Sequence, residues 1–368
     1  MRLRYKRWIS LLLAVVMMLT LGACGVQSQS DTTDKIAFDS LEKTGQMTLA
    51  YATQYQVEYY GDYSLITIGE DQRFLLVPEG KDIPKNLPED VVALQQPLDK
   101  TYLVSTSVMD LIRQLDCISY IRLSGSKAKD WYITEAKEAI EAGNMIYAGK
   151  YSAPDYECIL NEGCNLAIEN TMIYHTPEVK EQLEKFNIPV MVDYSSYEKN
   201  PLGRTEWVKL YGLLTGHEEE AEQAFEAEAG AFEAVSQEEP TGKTVAFFYI
   251  TSTGEANVRK SADYLPKMIE LAGGTYIFKD LGDEDDAAST LSMQMEEFYA
   301  GAKDADYIIY NSTIDGELAS VDDLIAKSPL LEKFKAVQDG NVYCTTKNLY
   351  QSTMELGTIT SDIHGMLT

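Results

Sequence analysis

RTEWVKLYGLLTGHEEEAEQAFEAEAGAFEAVS, residues 204–236, is the stretch on which the fold turns. It holds no proline and is dominated by Ala, Glu, Leu and aromatic residues. Apolar side chains at Trp207, Leu210, Tyr211 and Leu214, then Ala221, Ala224, Phe225 and Phe232, recur at spacings of three, four and seven, the period of one helix face. The spacing predicts one long helix over 204–236, with a bend near Gly216, because Gly212 and Gly216 weaken its middle. Such a spine separates two bodies of chain.

On its N-terminal side, Met47–Tyr51, Val57–Tyr60 and Tyr63–Ile68 read as strands, the last two joined by a Gly61-Asp62 turn. Prolines at 78, 84, 88 and 97 make 79–96 mostly loop. From residue 101 short apolar runs alternate with helical ones. Strands are predicted at Thr101–Val104, Cys117–Leu123, Met145–Tyr147, Leu166–Ile168 and Val190–Val192, with helices near 108–115, 133–142, 156–161 and 177–186. Beyond Pro240 the alternation resumes, with strands at Thr244–Ile250, Tyr276–Phe278, Tyr307–Tyr310 and Val342–Cys344. Alternation of this kind builds βαβ units. The predicted fold is α/β: two Rossmann-like lobes with mainly parallel sheets, 45–198 and 239–368, joined by a long α-helix within 199–238.

The 368 residues carry 58 acidic against 31 basic side chains, a formal charge of −27. That field repels phosphate backbones and excludes nucleic acid as a partner. Arg2, Arg4, Lys6 and Arg7 precede an apolar run, Ile9–Leu21, that is shorter than the ~20 residues of a membrane span. Residues 1–23 therefore read as a signal peptide. Leu21-Gly22-Ala23-Cys24 resembles the lipobox of bacterial lipoproteins, which implies acylation of Cys24 and a membrane anchor, with 24–44 as a flexible tether. Cys117, Cys158, Cys164 and Cys344 form no C-x-x-C pair and lack histidines at zinc spacing, so buried free thiols are predicted, with a Cys158–Cys164 bridge left open.

Enzyme motifs fail on inspection. Gly242-Lys243-Thr244 has Gln237 where a phosphate loop requires glycine, and a strand follows it. His217-Glu218 has Ala221 where a zincin places its second histidine. No G-x-S-x-G occurs, and His175, His217 and His364 stand in unrelated contexts. The chain reads as a binder rather than an enzyme, with no catalytic residue and no resident cofactor or metal.

An exported lipoprotein with two α/β lobes resembles the class III substrate-binding proteins of bacterial ABC importers. The segment 151–168 is similar to that family's glutamate-led helix and following strand, Asn187–Val192 to its strand before the connector, Leu271–Phe278 to its second-lobe glycine turn, and Asp304–Ile309 to its second strand signature. Asn165-Leu166 and Ala305-Asp306 depart from the family's Pro-Asp pairs and point to a subgroup. The resemblance implies a monomeric, extracytoplasmic receptor that hands cargo to an ABC permease and its ATPase. The cargo classes it implies are ferric siderophores, haem and cobalamin, with an iron-siderophore-type chelate preferred. It also implies that Glu157, and Glu297 or Glu296, dock to permease arginines.

Ligands of parallel sheets meet the loops beyond the strand ends. Those loops carry Trp131, Tyr151, Tyr174, Tyr197 and Tyr350 as flat amphipathic surfaces, Lys127, Arg204, Arg259 and Lys260 as scarce cations, and His175 as a potential metal ligand. Packing is the competing role for the tyrosines, and pairing with Glu198 or Glu206 for Arg204. The competing functions are an exported α/β hydrolase using His175 and a receptor for bare zinc or manganese, the latter disfavoured by only three histidines.

Overall fold

The computed structural model describes residues 36–283 and 290–368, so the expected signal peptide, Cys24 and the expected tether up to Lys35 lie outside the described residues. In the first lobe five parallel strands run in the order Val190–Asp193, Leu166–Asn170, Thr101–Leu103, Ile121–Ser124 and Ile146–Tyr147. The four strands from Val190–Asp193 to Ile121–Ser124 bury apolar side chains on both faces. Leu103, Leu166, Ile168 and Met191 point into one core, and Tyr102, Ala167, Val190 and Val192 into another, so the two-residue period sorts them between two helical layers; in Ile121–Ser124 a register irregularity at Thr101/Tyr102 puts Ile121 in the first core and Leu123 in the second.

The second lobe repeats the plan with a mixed sheet. Thr244–Ile250 pairs in parallel with Thr275–Tyr276 and Tyr307–Tyr310, and the latter with Val342–Cys344. On the other side two antiparallel strands, Ala256–Arg259 and Thr290–Met293, complete the sheet. Neither is among the strands expected from the sequence.

Residues before 100 form a sheet of their own, Gly45–Gln46, Tyr55–Tyr60, Tyr63–Ile68, Gln72–Val77 and Val91–Gln95. Two expectations are corrected here. The proline-rich stretch contains the strand Val91–Gln95, which pairs in parallel with Gln72–Val77. Met47–Tyr51 is not a strand; its neighbours Ala50–Gln54 turn their amides toward two buried carboxylates. One sheet face packs Tyr55, Val57, Ile66, Phe74 and Leu94 onto the connector. At the outer edge of the first-lobe sheet, the Gln72 amide accepts from Val192 N at 2.7 Å and donates to Val192 O at 3.1 Å, standing in for a missing strand.

The connector is helical throughout but not continuous. It comprises Pro201–Glu206, Val208–Thr215 and Glu218–Ser236. The break falls at Gly216, which ends its helix in the left-handed conformation at φ 74°. The chain then reverses. The Lys209 ammonium lies 4.4 Å from the ring of Phe225, whereas sixteen residues of straight helix extend about 24 Å. Glycine at 212 permits this, because a Cβ there would lie 2.5 Å from that of Ala221. Trp207, Leu210 and Tyr211 face the N-terminal sheet and the first lobe, while Leu265 and Met268 of the second lobe join the same core. The four cysteines among the described residues are free, Cys117 buried and Cys344 exposed rather than buried as predicted.

Candidate functional site

A cavity of about 370 Å³ opens between the lobes. Its first-lobe wall is made by Ser105, Thr106 and Ser107 after one strand, Asn170 at the end of the next, and Asp193 with Ser196 at the end of the edge strand. The second lobe contributes Tyr249, Asn257, Arg259, Asp263, Tyr264, Thr290, Ile314 and Tyr350, and the connector Arg204. Parallel strands put their carboxyl ends at one edge, and that edge is the cleft.

Two guanidiniums dominate it. Arg204 is only 8% exposed; its guanidinium stacks 4.0 Å from the centre of the Tyr264 ring and donates from Nη1 to the Ser196 carbonyl at 3.2 Å. Glu198 and Glu206, its expected partners, are engaged elsewhere, by the backbone amides of residues 50–54. Arg259 donates to Asp263 at 3.3 Å and to the Tyr350 hydroxyl, which also accepts from Asn311 Nδ2 at 2.9 Å. Burial works against the Arg259 charge, but Asp263 and the surrounding phenols outweigh it and raise its pKa. Asp263 also caps the helix Tyr264–Leu271 through Leu265 N, so one carboxylate positions both Arg259 and the helix carrying Tyr264.

Asp193 completes the floor. It accepts from Ser195 Oγ at 2.5 Å and from the Tyr211 hydroxyl at 2.7 Å, tying the edge strand to the connector. Burial raises its pKa, and the Ser195 and Tyr211 hydrogen bonds and Arg204 oppose the rise. Serine, threonine and asparagine supply the rest of the first-lobe wall, a surface suited to hydrogen-bonding a polar solute.

Arg204, Arg259 and Tyr350 are thus brought together, and the other candidates lie elsewhere. Lys127, Trp131 and Tyr151 follow the strands Ile121–Ser124 and Ile146–Tyr147, the fourth and fifth in strand order, on the side of the sheet away from Val190–Asp193. Trp131 is buried and donates to Ser124 Oγ at 3.1 Å; Lys127 is exposed beside the Tyr147 ring; Tyr151 packs on the outer core. Tyr174 bonds the Tyr194 hydroxyl at 3.0 Å and borders a separate groove against the N-terminal sheet, and His175 is exposed at the end of the same short helix. Lys260 lies along Gly282. Glu157, Glu296 and Glu297 are exposed in the first turns of Tyr156–Asn161 and Met295–Ala302. Among the described residues no group of three or more His, Cys, Asp or Glu is arranged to hold a metal.

Asp193, Tyr249, Asp263, Tyr264 and Ile314 line the cleft without having been anticipated. Asp193 and Tyr249 sit within or at the end of strands rather than in loops, and Asp263-Tyr264 begins a helix; the Asp-to-helix boundary was the available signal.

Two α/β lobes facing one another across a polar cleft define a two-lobe solute-binding protein. The chain belongs to the periplasmic binding protein family, which matches residues 123–349, and so is a substrate-binding component of transport rather than an enzyme. Among curated proteins, an uncharacterized lipoprotein of Methanocaldococcus jannaschii is 26% identical over 314 residues, covering 80% of this chain and 72% of its own length. A second lipoprotein of that organism is 22% identical, covering 84% of this chain and 79% of its own. Among solved structures, a periplasmic binding protein from Veillonella parvula superposes with a TM-score of 0.59 at 14% identity, over 85% of this chain and 98% of its own. The periplasmic haem-binding protein of Vibrio cholerae gives 0.58 at 17%, over 72% and 98%. A protein of an Fe3+-hydroxamate transport system from Saccharomonospora viridis gives 0.58 at 17%, over 73% and 92%. These likenesses establish the fold.

Proposed function

We propose that the protein is a lipid-anchored, extracytoplasmic receptor that binds an iron-siderophore-type metal chelate between its lobes and delivers it to an ABC permease. The observation that carries this reading is the pair of guanidiniums, Arg204 and Arg259, each set against a tyrosine in the interlobe cavity of a chain with net charge −27. Planar cations so placed recognise carboxylate, hydroxamate or catecholate oxygens at the periphery of a chelate. The serine, threonine and asparagine wall favours a hydrogen-bonding periphery over an apolar macrocycle. The lipobox at Cys24 supplies the anchor, and the lipoprotein relatives support it. Glu157 and Glu297 or Glu296, exposed on separate lobes, supply the docking charges.

Protein purified from its own host, examined by native mass spectrometry and absorbance, identifies the cargo, since ferric chelates, haem and cobalamin absorb differently. With that cargo, Arg204→Ala is expected to weaken affinity at least about tenfold, the loss of a hydrogen bond to a charged group. An unchanged affinity removes Arg204 from the binding surface.

A further inference from the structure

Arg204 owes its direction to two contacts, the face of Tyr264 and the carbonyl of Ser196. Ser196 belongs to the short 3-10 turn Ser195–Tyr197, and Glu198 follows it directly. Glu198 is 2% exposed. Its carboxylate accepts the Thr53 N–H at 2.9 and 3.0 Å, the Thr53 hydroxyl at 3.0 Å, the Gln54 N–H at 2.9 Å and the Trp207 indole N–H at 3.0 Å. One carboxylate therefore joins the N-terminal segment, the connector and the turn that aims Arg204.

The neighbouring Glu206 reinforces this junction. It is fully buried and accepts the N–H groups of Ala50, Tyr51 and Ala52 at 2.7–3.1 Å, with Lys209 at 3.3 Å. Between the two acids, Gly203 lets the segment approach: a Cβ there would stand 3.0 Å from the Tyr51 carbonyl oxygen and 3.1 Å from Glu198 Oε2. Arg204, next along the helix, points the other way into the cleft. Residues 50–54 precede residue 123, where the match to the family begins, so this junction includes chain that the family match does not reach.

We propose that Glu198 is a positioning residue for cargo binding, and that the N-terminal segment Ala50–Gln54 acts on the cleft through it. Pinned by backbone amides, Glu198 holds the Ser196 carbonyl where it orients the Arg204 guanidinium. The same amides take up the carboxylate charge, so that the residue two positions beyond Ser196 does not compete with cargo for Arg204. The cargo role of Arg204 rests on the function proposed above; the positioning of its guanidinium does not.

The test uses the full chain with 15N-labelled arginine, in which rotation of the Arg204 guanidinium is followed by NMR and assigned through its disappearance in Arg204→Lys. Rotation is expected to be slow in the unmodified protein and about tenfold faster in Glu198→Ala, as loss of one hydrogen bond to a charged group implies. Glu198→Gln, which keeps an acceptor for Thr53 and Trp207, is expected to restore slow rotation. Thr53→Val removes one donor without touching the carboxylate, and is expected to give a smaller change in the same direction, so the test survives a Glu198→Ala protein that does not fold. Rotation that stays slow in Glu198→Ala and Thr53→Val, with only the melting temperature lowered, overturns the proposal and leaves Glu198 a structural pin. Failure of the cargo reading shows separately, as unchanged affinity in Arg204→Ala.

Discussion

Glu169, the penultimate residue of the strand Leu166–Asn170, is fully buried, with both carboxylate oxygens lacking a hydrogen-bond partner among the described residues. Burial alone pushes its pKa up to about 8 from an ordinary 4.5. The folded protein therefore holds a proton that the unfolded chain releases. Stability from this group is complete below pH 4.5 and declines as pH rises to about 8, by about 1.4 kcal/mol for each pH unit crossed and a few kcal/mol in all. Glu169→Gln fixes the neutral form. It is expected to melt higher than the unmodified protein at pH 8 and within a degree or two of it at pH 4.5, checked by calorimetry at both pH values; an equal difference at both would mean the carboxyl is already ionised in the fold. At this scale Arg204 and Arg259 were legible in the sequence because cations are scarce in so acidic a chain. The diversion of Glu198 and Glu206 away from Arg204 was not, since their partners lie 144–156 residues away.

The elements followed local pattern where one strand or helix carries its own signal. Tyr156–Asn161, Thr244–Ile250, Tyr307–Tyr310 and Val321–Lys327 match their apolar runs and caps. The connector did not, because a period of 3.6 reports which face is apolar and not whether the axis continues. Trp207 to Leu214 and Ala221 to Phe232 share a spacing, yet they face one another across the reversal at Gly216. Gly212→Ala tests that geometry. Its Cβ would meet Ala221 at 2.5 Å, so the helices must part, at an expected cost of about 1–3 kcal/mol in urea unfolding. An unaffected midpoint would show that the two helices are not in contact in solution. The strands Val91–Gln95 and Ala256–Arg259 escaped reading for another reason: each is short, and pairing with a neighbour makes it a strand.

For the molecule as a whole, one core runs from the N-terminal sheet through the connector into both lobes, with Tyr55, Trp207, Leu265 and Leu356 all part of it. The lobes are thereby held at a common base, and the exposed Glu157, Glu296 and Glu297, proposed above as docking charges, are carried on separate lobes of one body. A single exposed ion pair contributes about 0.2–1 kcal/mol, so the proposed docking requires both lobes to engage together. Glu157→Ala and Glu297→Ala are each expected to lower uptake into proteoliposomes bearing the cognate permease a fewfold, the double substitution by more than either, and none to alter cargo affinity. If Glu297→Ala leaves uptake intact, Glu296 takes the role; if all three variants do, docking lies elsewhere.

The amino-acid sequence by itself determined the α/β class, the two-lobe plan, the acidic charge and the cations available for cargo, because periodicity, composition and residue scarcity are local properties. Only the tertiary structure decided which strand-end loops meet, since strand order sends Trp131 and Tyr151 to the far side of the sheet and brings Ser105, Asn170 and Asp193 to the cleft. It alone decided the partners of Arg204 as well: hydrogen bonds between segments distant along the chain form only after packing has excluded water and set the geometry.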